Sequence, residues 1–123
     1  MPAKNFLVKI NDATKYVCLI YNAGNAAIQA AKVKIDKKDT PMDTDGEPLK
    51  TDQPFRLGLG NVLKGKEVVL LCTLAPNPAV QSKELSLSFS LQNAKQIGNA
   101  KQGLTTTDYT NGYALFEITL KLI

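Results

Sequence analysis

The side chains with the most obvious capacity for chemistry are concentrated in one stretch. Residues 36–52 carry six of the chain's eleven carboxylates. Within it, Asp43, Asp45 and Glu47 alternate around Gly46 in the manner of a piece of a calcium loop. The twelve-residue EF-hand pattern fails, because Pro41 would occupy the first ligand position and offers no side-chain oxygen. A loop of another kind would gather Asp39, Asp43, Asp45 and Glu47 around one cation, against the plainer expectation of a solvated acidic connection. No cofactor is expected, calcium at this loop being the alternative.

Other chemistry is constrained by what the chain lacks. It contains no histidine, which removes Ser-His-Asp and Cys-His arrangements and every His-ligated metal site. Cys18 and Cys72 fall within the two most apolar segments, where a thiol keeps a high pKa and poor access. Inert core thiols are expected, with one disulfide bridging two neighbouring central strands as the alternative. The carboxylates outside the acidic stretch, Asp12, Glu67, Glu84, Asp108 and Glu117, fall at strand ends or on outward faces. Gly58-Leu59-Gly60 is too short and isolated for a phosphate loop and is read as strand-end flexibility. No catalytic constellation emerges, and the expectation is a protein that is not an enzyme.

These residues are carried by segments that read as β-strands. Leu85, Leu87, Phe89 and Leu91 alternate with Ser86, Ser88 and Ser90, so that the leucine set points inward and the serines face water. Ala114, Phe116, Ile118, Leu120 and Leu122 repeat the pattern at the C-terminus, after an Asn111-Gly112 pair suited to a type I′ hairpin turn. Phe55, Leu57 and Leu59 alternate with Arg56 and Gly58, and Phe6, Val8 and Ile10 with Leu7 and Lys9. Residues 16–21 and 68–74 are apolar or neutral on both faces, as in central strands covered on each side. Residues 25–32 fit a short capped helix or a strand; an extended run from about Ala30 to Ile35 is favoured. Asn22, Ala23, Gly24 and Asn25 form a turn cluster. Residues 92–103, in which Asn-Ala-Lys-Gln occurs twice, are read as a polar surface loop.

Residues 1–123 are expected to form one domain: an all-β, Ig-like antiparallel two-sheet β-sandwich of about seven to eight strands. With 44% hydrophobic and 21% charged residues, the composition is that of an ordinary globular protein. The longest apolar run, residues 68–72, is far short of the roughly 20 residues of a membrane-spanning helix. The start leads straight into Phe6-Leu7-Val8-Lys9 without the apolar run of a secretory leader, so a cytoplasmic protein is expected unless a leader has been removed. The net charge of +4 comes from scattered lysines and the single Arg56, which argues against nucleic acid as a partner.

The segment Leu19-Ile20-Tyr21-Asn22-Ala23-Gly24-Asn25-Ala26-Ala27, followed by Lys32-Val33-Lys34-Ile35, resembles a run common in bacterial Ig-like domains of the CARDB adhesion type. Leu57-Gly58 and Leu63-Lys64-Gly65-Lys66-Glu67-Val68 are similar to that family's Gly-containing turn before a long apolar strand. The chain departs from the pattern after Gln92. The resemblance implies a sandwich used for binding or spacing, and it brings no site residues with it. The expected function is thus a non-enzymatic interaction or assembly module engaging a protein partner or a second copy. A carbohydrate- or calcium-dependent lectin-like domain using the acidic loop is the alternative. Self-association is expected through Tyr113, Leu115 and Glu117, if the C-terminal strand lies at a sheet edge.

Overall fold

In the computed structural model, residues 3–21, 26–76, 85–93, 102–106 and 113–123 are described. The elements follow in the order β1 (Ala3–Val8), β2 (Lys15–Tyr21), β3 (Ala26–Ile35), β4 (Lys38–Asp39), β5 (Phe55–Leu59), α1 (Gly60–Leu63), β6 (Glu67–Pro76), β7 (Leu85–Gln92), β8 (Gln102–Thr106) and β9 (Ala114–Leu122). The strands form two sheets, one ordered β1-β9-β6-β3-β4 and the other β5-β2-β7-β8. This is the all-β two-sheet sandwich expected. Among the described residues it has eight strands of five residues or more and the two-residue β4. No helix among them is long and apolar enough to cross a membrane.

Period-two burial decides which face of each strand meets the other sheet. Leu85, Leu87, Phe89 and Leu91 of β7 are fully buried, as are Phe116, Ile118 and Leu120 of β9 and Val68, Leu70 and Cys72 of β6. These side chains form a single core with Tyr16, Cys18 and Ile20 of β2. Each such large apolar side chain contributes about 1.5 to 3 kcal/mol on leaving water. Phe6 of β1 reaches across the core to meet Phe89 edge-to-face at 5.5 Å, tying the first strand of one sheet to the other sheet. The two doubly apolar segments are interior strands, β2 between β5 and β7, and β6 between β9 and β3.

Several expectations are corrected. The extended run favoured from Ala30 to Ile35 reaches back to Ala26 as one strand paired with β6, with a register shift between Ile28 and Ala30, so helix propensity in the alanine-rich part yields to sheet pairing. Ser90 does not face water: it is fully buried and its Oγ lies 3.0 Å from Tyr21 Oη. The strand β9 is not an edge. It lies between β1 and β6, antiparallel to β6 and parallel to β1, so its backbone is not the open template that edge pairing needs. The parallel pair is possible because β1 and β9 are joined by no turn, only by the whole intervening chain. The Asn22–Asn25 turn cluster and the Asn111-Gly112 turn lie outside the described residues. The strands flanking the latter, β8 and β9, sit in different sheets. A two-residue turn does occur at Asp36 and Lys37, whose φ angles of 53° and 69° suit a type I′ hairpin joining β3 to β4.

Cys18 and Cys72 are free thiols, both fully buried. Their strands belong to opposite sheets rather than being neighbours. Burial pushes each thiol up to about 12, so neither is a nucleophile near neutral pH. Both should resist a bulky maleimide in the native protein and both should label after denaturation without reductant. A count of no labelled thiols in the denatured protein would show a disulfide instead.

Candidate functional site

The most chemically distinctive region is built around the edge strand β5. Its alternation breaks at Leu57. Tyr16 pairs with Gly58 and Val17 with Arg56, so Leu57 is an extra residue, a β-bulge. Gly58 supplies a φ of +117° there, which L side chains rarely adopt. The bulge changes which side chains share a face. Residues directly opposite in an antiparallel pair point the same way, so Arg56 joins Val17 and Leu59 joins Lys15 on the outer face. An unbroken strand would have sent Arg56 and Leu59 to opposite faces. Phe55 and Leu57 stay in the core, as the alternation predicts, whereas Leu59 is turned out and 37% exposed.

A third element completes the surface. Helix α1 follows β5 at once and is held against the turn at residues 11–14. The Gly60 N–H donates to Thr14 O at 2.9 Å and the Asn61 N–H to Asp12 O at 3.1 Å. The packing is so close that a Cβ on Gly60 would lie 1.8 Å from Asn11 O. Leu63 is buried beneath the helix, while Val62 is presented outward at 57% exposure. Gly58 and Gly60 therefore serve two specific geometries rather than general flexibility.

The acidic stretch supplies the remaining wall. The Asp43 side chain is fully shielded from solvent. Its Oδ1 accepts the N–H groups of Asp45 and Glu47, both at 2.9 Å, and its Oδ2 accepts the N–H of Arg56 at 3.1 Å. The Thr44 N–H donates back to Arg56 O at 3.1 Å. The unpaired edge of β5 is thus satisfied at Arg56 by a carboxylate and a loop amide in place of another strand. The Glu47 N–H bond is the main cause holding the Asp43 carboxyl below its ordinary value of 3.8; the N–H groups of Arg56 and Asp45 and the guanidinium charge add to it against the effect of burial. The Arg56 guanidinium lies with Nη1 3.7 Å from Asp43 and Nε 3.2 Å from Asp45.

Together these elements line an open-mouthed cavity of about 470 Å³. Val17, Leu59 and Val62 provide its apolar part; Lys15, Asn93, Arg56, Thr44 and Asp45 surround it. The Asn93 Nδ2 donates to Lys15 O at 2.9 Å, fixing the backbone at the start of β2.

The cation site expected from sequence is not assembled. Asp39 sits on β4 and pairs with Lys32 and Lys34 at 3.7 and 3.9 Å. Asp43 is saturated by backbone donors, Asp45 pairs with Arg56, and Glu47 contributes its N–H to Asp43. Among the described residues no group of three or more Asp, Glu, Cys or His could hold a metal. Of the residues expected at an interface, Tyr113 and Leu115 are exposed and Glu117 is half-buried on the outer face of the other sheet. They form no part of the cavity. Sequence reasoning missed Lys15, Val17, Leu59 and Val62, although a lone glycine inside an alternating strand is a recognised sign of a bulge.

The chain matches no protein-family model, no curated protein and no solved structure.

Two substitutions test this geometry. Because the folded-state pKa of Asp43 lies below its unfolded value, its contribution to stability is present above about pH 4 and is lost as the pH falls through the folded value. Asp43→Asn should therefore lower the melting temperature by several degrees at pH 7, and the gap to the native protein should shrink progressively below pH 4. A gap independent of pH would contradict the ionised-carboxylate account. Gly60→Ala should cost about 2 to 3 kcal/mol by overpacking against backbone. Gly46→Ala, where φ is +78° and the space is open, should cost only about 1 kcal/mol. Equal losses in denaturant melts would show that close approach is not what Gly60 serves.

Proposed function

We infer that the protein is a non-enzymatic interaction module, an Ig-like sandwich that engages its partner through the cavity beside β5. The observation that carries this reading is the bulge at Leu57: it moves Arg56 and Leu59 onto one outer face and, with Val62 of α1, makes an apolar hollow rimmed by charge. Small recognition sites have this composition, an apolar lining with a few placed polar groups, and volumes of about 300 to 1,000 Å³. The hollow is also backed by rigid parts. Its floor is two paired strands, and its wall is a loop whose key carboxylate is fully engaged.

The Ig-like part of the reading rests on strand neighbours. In Ig sandwiches strand B lies beside E, and C lies beside F, which lies beside G. Here the second strand β2 lies beside β5, and β3 lies beside β6, which lies beside the last strand β9. The β7 and β8 pair then stands on the other flank of β2, where strand A runs in the family. The resemblance of residues 19–35 to CARDB-type adhesion domains points the same way. The absence of histidine and the two buried thiols favour binding over catalysis.

Amide NMR spectra recorded with increasing phenol, a small amphipathic probe, test the location. Shifts should concentrate at Val17, Gly58, Leu59 and Val62. Shifts concentrated at Tyr113 and Leu115, or scattered without a focus, would overturn the assignment.

A further inference from the structure

We propose that the cavity beside β5 selects an apolar monoanion, a ligand with one carboxylate or sulfonate on a hydrocarbon body. The inference deepens the binding reading above and rests on it. The apolar surface comes from Val17, Leu59 and Val62 on three adjoining elements, β2, β5 and α1. The charge follows from counting which ions at the rim are already paired. Arg56 is engaged by Asp45 at 3.2 Å and by Asp43 at 3.7 Å, and the Asp43 carboxylate is further taken up by three backbone N–H groups. Lys15 makes no ion pair among the described residues.

Among the described residues one cation is therefore left at the mouth. Lys15 lies directly opposite Leu59 in the β2–β5 pair, so its hydrocarbon stem can lie along the apolar floor with the ammonium at the rim. A single anionic group held there gains a charge-assisted hydrogen bond. A second negative charge, or an anion seated at the opposite rim, meets Asp45 instead. A cationic ligand is repelled by Lys15. The same arrangement favours one charge over a polyanion: among the described residues the four ionised groups Lys15, Arg56, Asp43 and Asp45 balance, with Lys15 opposite Leu59 in the β2–β5 register and the other three gathered at Arg56, opposite Val17.

The test uses a matched pair of fluorescent probes, 1-anilinonaphthalene-8-sulfonate and its uncharged parent N-phenyl-1-naphthylamine, titrated into the native protein at low salt. The sulfonate should bind one to one and about tenfold more tightly than the neutral amine, as expected for one charge-assisted contact. Lys15→Met should remove that preference while leaving the neutral probe's affinity unchanged, and Lys121→Met, on the other sheet, should leave both unchanged. Val62→Asp should weaken both probes. Each variant should keep the native melting profile, since these side chains are exposed. Equal affinity for the two probes, or a preference that survives Lys15→Met, would overturn the monoanion assignment and leave the cavity as a binding site. If neither probe binds, or if binding ignores Val62→Asp, the binding-site reading itself falls.

Discussion

A strand at the edge of a sheet exposes backbone donors and acceptors that must be paired or hydrated, and β5 answers this requirement with a side chain. The Asp43 carboxylate takes the Arg56 N–H while also accepting the amides of Asp45 and Glu47. One ionised group thus caps the sheet edge at Arg56 and folds the acidic loop back upon itself. Pro54, immediately before β5, has no N–H to offer and blunts the edge further. A neutral side chain of the same size accepts fewer bonds and presents a donor where the geometry calls for an acceptor. The arrangement favours the charged state, because the three backbone N–H groups on the Asp43 carboxylate donate to its ionised form.

From this constraint the cavity follows. With the loop pinned at Arg56, Thr44 and Asp45 stand beside the outer face of β5, and the guanidinium is drawn toward them rather than across the floor. The bulge then exposes Leu59, and the close seat of Gly60 on Asn11 places Val62 at the far side. The same elements serve the core on their other side, where Leu57 of β5 and Leu63 of α1 are buried. Leu59 and Val62 stay exposed beside Val17, so that the apolar surface of the hollow is drawn from three adjoining elements, β2, β5 and α1.

How much of this was legible depends on whether the information is local. The strands β7 and β9 were readable because alternation over eight or nine residues leaves one consistent buried face. The interior places of β2 and β6 were readable because both their faces are apolar. The strand β3 was harder, since Ala26, Ala27, Ala30 and Ala31 suit a helix as well as a strand, and only the pairing with β6 decides. The turn at Asp36 and Lys37 lacks the glycine that usually marks its type. The parallel union of β1 with β9 leaves no local mark at all, which is why the C-terminal strand reads as an edge when it is not. At the site, the acidic spacing of residues 43–47 suggested a cation; the competing donors were backbone amides, and that of Arg56 is brought into place only by the tertiary fold.

Titration of the aspartate side-chain carboxyl carbons by NMR, observed together with the backbone amides, bears most directly on the role given to Asp43. The account predicts a midpoint for Asp43 below the ordinary aspartate value of 3.8, with the amide protons of Glu47, Asp45 and Arg56 shifting at that same midpoint. A carboxyl that titrates at the ordinary value, without a matching response at those three amides, would contradict it.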